Sequence, residues 1–373
     1  MSVVVITGAA GLVGSMLRPR LARPHRTLRL VDLQPLTAGP GEQAIQASVT
    51  DLDAMTAACQ GADAVIHLAG IPGEASWPRI LETNINGGYG AFEAARRAGT
   101  PRVIFASSNH AVGFSPRAAF PVPDYAFPAP DTFYGISKVA TEGMAAMYHY
   151  RYGLDAICVR ILSCFPRPVN VRMLSTWLSP DDTGRLFEAC LTAERPGFRV
   201  IFGVSANTRG GWVSLAEARA LGYQPQDDAE AYAAELIAEH GEPDPEDDPV
   251  LRYLGGEFTL PDAQVPQALG TLGPVLLPAG QQVGHLPGGE LQERGLLGHP
   301  RAGRGVRADQ VDALADQRGP AAHHLVAHAQ QVVPHGAGHP VVVPARAGHP
   351  LLVRQPDLDQ VAYRAGHGGR ADP

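Results

Sequence analysis

Lysine is almost missing from this chain: of its 30 lysines and arginines only Lys138 is a lysine. Arginine serves wherever a positive charge alone is needed. Cysteine is scarce too, and Cys59, Cys158, Cys164 and Cys190 show no C-x-x-C spacing. That argues against a zinc site or a redox pair and predicts reduced core residues. There is no basic excess to neutralise phosphates, since the formal net charge is -7 and the pI about 6.0, so nucleic acid is not an expected partner. No apolar run reaches the length of a membrane span, and Met1 leads into "SVVVITG" without a charged leader, so a cytoplasmic protein is expected.

What is present divides near residue 260. Residues 260–373 contain no Lys, Asn, Ser, Ile, Met, Cys, Phe or Trp, yet hold nine of the 14 histidines. Those histidines are scattered among Gly and Pro rather than set at i, i+4 on a helix, so no metal site is expected. The segment reads as a low-complexity, poorly ordered extension outside the fold, its alphabet that of GC-rich codons read in a frame not selected for folding.

Residues 1–259 alternate short β-branched runs with amphipathic segments. Strands are predicted at 3–7, 27–32, 44–48, 64–70, 102–108, 155–162 and 198–204, each apolar enough to be buried on both faces. Helices are predicted in "GLVGSMLRPRLA", "RILETNINGGYGAFEAARRAG" and "TFYGISKVATEGMAAMYHYRYG". A further helix should begin at Ser179 as N-cap with Pro180 at its first position. Regular β-α alternation implies an α/β protein with a doubly wound parallel sheet, the Rossmann architecture. Segments within 164–259 would form a small C-terminal substrate lobe.

The first strand runs into "TGAAGLVGSML", which spaces Gly8, Gly11 and Gly14 as G-x-x-G-x-x-G. Glycine lets the backbone approach a pyrophosphate, and the helix that follows offers unpaired N–H groups and the positive end of its dipole. The second strand ends in Asp32, whose carboxylate can accept from ribose hydroxyls and would repel a 2′-phosphate, so NAD is favoured over NADP. Asp51, with Leu52, either contacts the adenine or caps the next helix.

Tyr134 and Lys138 stand at i, i+4 on a predicted helix and project from one face. A free tyrosine has a pKa of about 10, and a neighbouring ammonium favours its phenolate. The strand "RVIFASSNH" delivers Ser107, Ser108, Asn109 and His110 at the carboxyl edge of the sheet, where ligands bind in such folds.

Glycine turn, strand-end serine and Y-x-x-x-K together resemble the extended short-chain dehydrogenase/reductases of the nucleoside-sugar epimerase/dehydratase superfamily. "YGISK", "RILSCFPRP", "VRMLSTW" and "YLGGEF" are similar to segments of the uronate dehydrogenases, over residues 2–259. The resemblance implies an NAD-dependent, homo-oligomeric enzyme that oxidises a small uronic acid at C1 to an aldarolactone. Tyr134 would be the base, Lys138 would lower its pKa and hold the nicotinamide ribose, and Ser108 would orient the hydroxyl. Asn109, His110, Ser163 and Phe258 would contact the sugar, and Arg172 its carboxylate. Leu12, Leu68, Ala69, Gly70 and Asn84 would join the cofactor contacts. From the residues alone, His110 could equally be a core histidine, Arg172 a surface charge and Asn84 an ordinary helix residue. Pro72 and the stretch 205–222 depart from the family pattern. A sugar-nucleotide epimerase would need a larger lobe after the Tyr/Lys helix, a dehydratase an Asp-Glu pair where "SSNH" stands, and a non-catalytic NAD sensor no intact Ser/Tyr/Lys set.

Overall fold

Each of the seven apolar runs forms a strand in the computed structural model, which describes residues 2–244 and 247–261. They are β1 (Ser2–Thr7), β2 (Arg26–Asp32), β3 (Glu42–Gln46), β4 (Ala64–His67), β5 (Arg102–Ser108), β6 (Asp155–Ile161) and, after the two-residue strands β7 (Ser163–Cys164) and β8 (Trp177–Leu178), β9 (Phe198–Gly203). The seven longer strands lie in the order β3-β2-β1-β4-β5-β6-β9, all parallel. From β1 the chain moves outward to β2 and β3, then returns to the other side of β1 as β4. A crevice opens at such a reversal, outside the carboxyl ends of β1 and β4.

The helices are α1 (Leu12–Leu21), α2 (Leu52–Cys59), α3 (Trp77–Ile80), α4 (Gly87–Ala98), α5 (Phe133–Tyr152), α6 (Met173–Thr176), α7 (Pro180–Thr192), α8 (Ala216–Ala220) and α9 (Ala233–His240). On one face of the sheet, Met16 and Leu17 of α1 and Leu186 and Phe187 of α7 pack over Ile6, Ile104 and Ile157. On the other, Met55 of α2, Phe92 of α4 and Tyr148 of α5 pack over Val5, Val65 and Val103. Neighbouring strand residues such as Val5 and Ile6 thus divide between the two cores, as a period of two requires. Burial on both faces is why β1, β4, β5 and β6 read as unbroken apolar runs, whereas β3, expected to be buried likewise, is an edge strand with no fully buried residue. Helix α7 starts as its sequence indicates: Ser179 caps it by accepting from the N–H of Asp182, with Pro180 in the first turn.

Two predicted elements differ in detail. The run 64–70 stops being a strand after His67, because Leu68–Gly70 must turn beneath Gly8, where a side chain on Gly8 would meet Ala69 N at 2.7 Å. The helix predicted over 79–99 is interrupted by a π-helical turn, Leu81–Asn86. This widened turn directs Asn84 inward, where its amide pairs with both backbone groups of Ile71 (2.8 and 3.1 Å).

Beyond β6 two smaller apolar clusters form, one around Phe202, Trp212, Val213 and Leu254, the other around Leu174, Trp177, Ala229 and Leu236. The unusual stretch 205–222 is well anchored: Trp212 O accepts from Val122 N and Val122 O from Ser214 N, at 2.9 and 2.8 Å. All four cysteines are free and buried, and burial pushes their thiols up, to about 11 for Cys59 and Cys164 and about 12 for Cys190. No helix among the described residues is long and apolar enough to cross a membrane. The described residues belong to the unit Met1–Ala279; the second unit, Gly280–Pro373, and with it nearly all of the low-complexity extension expected at 260–373, lies outside the described residues.

Candidate active site

At the switch point the glycine turn is built for close approach. Gly8 adopts φ +67°, and a Cβ on Gly14 would lie 2.5 Å from Gly8 O, so neither position admits a side chain without moving backbone. Gly11 stands at the N-cap of α1 and offers no side-chain cap, which leaves the first N–H groups of that helix open to an anion. Asp32 closes the turn from the side: its carboxylate accepts from Ala10 N and Gln34 N, both at 2.9 Å, and stays half-exposed at the rim. An uncapped helix end, a turn without side chains and a carboxylate at the end of β2 fit the pyrophosphate and ribose of a dinucleotide. Leu68, Ala69 and Gly70 line the opposite wall, and Asn84 holds it through Ile71. Asp51 caps α2 by accepting from Ala54 N at 3.0 Å.

Helix α5 brings Tyr134 and Lys138 to the end of β5. Tyr134 is buried, with Ser108 beside its hydroxyl and its N–H donating to Glu74 at 3.0 Å. Burial pushes the phenol up to about 12, and the Ser108 hydrogen bond works in the opposite direction. Lys138 donates to Ala106 O at 2.8 Å and lies over the Tyr134 and Phe105 rings, 5.1 and 5.0 Å from their centroids. Burial lowers its ammonium to about 8, against which the charge of Glu142 acts. Ser108 is therefore the polar side chain set to favour the Tyr134 phenolate, while Lys138 is held by a carbonyl.

One turn further along α5, Glu142 forms a buried bidentate pair with Arg160 (2.9 and 2.8 Å) and accepts from Ser107 at 2.6 Å. Of the two adjacent serines only Ser108 faces Tyr134. Asn109 follows, buried, and donates to Leu254 O at 3.1 Å. Arg172 donates to the same carbonyl and, at 3.5 Å, to Ser163. It is not a surface charge: its guanidinium stacks 5.6 Å from Trp212, burial lowers it to about 10, and its Nε is buried without a partner. His110 is half-buried, with Tyr134 at 5.7 Å on one side and Phe258 at 4.1 Å on another.

Ser108, Asn109, His110, Tyr134, Lys138, Ser163, Arg172 and Phe258 thus converge, although they come from five separate segments. Missed in the sequence were Asp131, which hydrogen-bonds His110, together with Glu74 and the Glu142–Arg160 pair. Glu142 was discoverable, since it continues the Tyr134–Lys138 face by another i+4 step. The glycines of "YLGGEF" also gain a reason. A Cβ on Gly255 would lie 2.0 Å from Asp131 Oδ2, and one on Gly256 2.7 Å from Arg172 Nε.

A sequence profile of the NAD dependent epimerase/dehydratase family matches residues 4–170, and with this fold and glycine turn the match marks an NAD-binding protein. Among characterised proteins, the uronate dehydrogenase of Pseudomonas putida is 41% identical over 260 residues, 69% of this chain and 95% of that one. That of Agrobacterium fabrum is 44% identical over 257 residues, 68% and 96% of the two chains. The crystal structure of uronate dehydrogenase from Agrobacterium tumefaciens superposes with a TM-score of 0.65 at 42% identity, covering 69% of this chain and 97% of that one; a tyrosine-to-alanine variant of it was solved with NAD. The chain belongs to the uronate dehydrogenases.

Proposed function

We propose that this protein oxidises a free aldohexuronic acid, galacturonate or glucuronate, at C1 and releases the aldarolactone. NAD, when bound, accepts the hydride that leaves C1. Tyr134 takes the proton of the C1 hydroxyl, and Ser108 donates to the same oxygen and orients it. Because burial holds Tyr134 near 12, its phenolate depends on fixed positive charge and hydrogen bonds, which Lys138 and Ser108 provide. Gly8, Gly11, Leu12 and Gly14 would hold the pyrophosphate, Asp32 the adenosine ribose, Asp51 and Leu52 the adenine edge. Leu68, Ala69, Gly70, Asn84 and Lys138 would flank the nicotinamide half. Asn109, His110 and Ser163 would bind sugar hydroxyls, with Phe258 over the ring. Residues 1–259 would form this catalytic unit, with the substrate lobe drawn from 164–259.

The observation that carries the substrate class is Arg172. It is a desolvated guanidinium, stacked on Trp212, that forms no ion pair among the described residues and keeps a buried Nε–H unused. A planar fork with donors to spare is matched by a carboxylate rather than by a neutral sugar.

The test is to mix the full-length protein with NAD and follow reduced cofactor on adding galacturonate, glucuronate or UDP-glucose. Reduction with a free uronate and none with UDP-glucose is expected. Conversion of UDP-glucose to its C4 epimer, with no net cofactor reduction from either free uronate, would transfer the chain to the epimerase reading.

A further inference from the structure

Behind His110 lies a carboxylate that no role above requires. Asp131 immediately precedes Thr132, the N-cap of α5, and its side chain is wholly buried. Its Oδ2 stands 2.7 Å from His110 Nδ1, and its Oδ1 accepts from Thr132 Oγ1 at 3.0 Å. Glycines from three separate segments enclose it. A Cβ on Gly113 or Gly255 would lie 1.9 or 2.0 Å from Oδ2, and one on Gly135 3.1 Å from Oδ1. Gly255 N also donates to Gly113 O at 2.8 Å, joining two of these walls. The chain thus gives up three side chains to seat one acceptor-only group against the imidazole.

That arrangement decides what the other ring nitrogen can do. A carboxylate only accepts, so Nδ1 must carry the proton, and in the neutral ring Nε2 is left as an acceptor. Among the described residues nothing bonds to Nε2, while Tyr134 and Phe258 hold the ring plane from two sides. We propose that Asp131 is a positioning residue that locks His110 in the Nδ1–H tautomer, so that Nε2 selects a sugar hydroxyl as its donor. The role rests on the uronate-oxidation reading. It divides recognition in two: Arg172 donates to the carboxylate end of the sugar, and His110 accepts from a hydroxyl.

The experiment compares full-length wild type, Asp131→Ala, His110→Ala and the double variant for kcat and KM with galacturonate, and for NAD affinity without sugar. Asp131→Ala should lower kcat/KM by about tenfold or more, the scale of a hydrogen bond to a charged group. In the His110→Ala background the same change should cost little, and NAD affinity should hold throughout. Equal losses in both backgrounds would reduce Asp131 to structural support and overturn the proposal. Should the alanine variant fail to fold, nitrogen NMR of the wild type decides: with the ring neutral, a protonated Nδ1 and bare Nε2 are expected for His110, assigned by its loss in His110→Ala. The reverse tautomer would overturn the proposal. A wild type that oxidises no uronate would instead sink the substrate reading, leaving the spectrum to judge the Asp131–His110 pair.

Discussion

A lysine that donates to a carbonyl 2.8 Å away beneath a tyrosine ring has little room to be anything else. At Lys138 a compact ammonium fits between Ala106 O and two aromatic rings, where a guanidinium, broader and planar, would displace one of them. Lys138→Arg should therefore lower kcat although the charge is kept, and Tyr134→Phe should lower it by about 100-fold or more, the usual worth of a positioned base. Binding of NAD, followed by titration calorimetry, should survive in Tyr134→Phe. Normal turnover in either variant would remove that residue from the mechanism. At this scale the sequence was informative where spacing put two side chains on one helix face, as with Tyr134 and Lys138, whereas Arg172 read equally as a surface charge. Asp131 was invisible because a polar residue just before an N-cap looks like part of the cap.

At the level of elements, the β1–turn–α1 unit depends on Gly14 as much as on Gly8. A methyl group there would sit 2.5 Å from Gly8 O and 2.8 Å from Ala9 Cα, and backbone cannot yield as a side-chain tip would. Gly14→Ala should force α1 away from β1, cost about 1–3 kcal/mol and lower Tm by roughly 2–10 °C. NAD affinity should fall with it, because the uncapped helix end moves. Unchanged melting and binding would show that the helix is not seated by Gly14. Strands and capped helices were legible, since apolar period and cap chemistry are local. The π turn was not, because Asn84 departs from the helical pattern only to reach Ile71, and that need arises from a distant loop.

For the molecule as a whole, His67 ties stability to pH. It is buried at the end of β4, bonded to Thr7 at 2.8 Å with its Nε2 unpaired, and burial lowers it from 6.5 to about 3. Between those values the unfolded chain carries a proton that the folded chain refuses, so stability falls as pH drops below 6.5, by about 1.4 kcal/mol per pH unit. Depressed carboxylates such as Glu93, lowered from 4.5 to about 2 chiefly by its hydrogen bond with Arg96, add their loss only below pH 4.5. Denaturant unfolding across pH 4.5–6.5 should therefore show a slope to which His67 contributes. His67→Gln should flatten that window whatever its absolute stability; an unchanged slope would place the acid sensitivity elsewhere.

By itself the sequence determined the β-α order, the parallel doubly wound sheet, the glycine turn and the Tyr134–Lys138 face, because each follows from residues within a few positions of one another. Only the tertiary structure decided that Asn109 and Arg172 share the Leu254 carbonyl, that Phe258 covers His110, and that three glycines make room for Asp131. Those contacts join segments far apart in the chain, and their geometry exists only once the sheet has brought the carboxyl ends of its strands together.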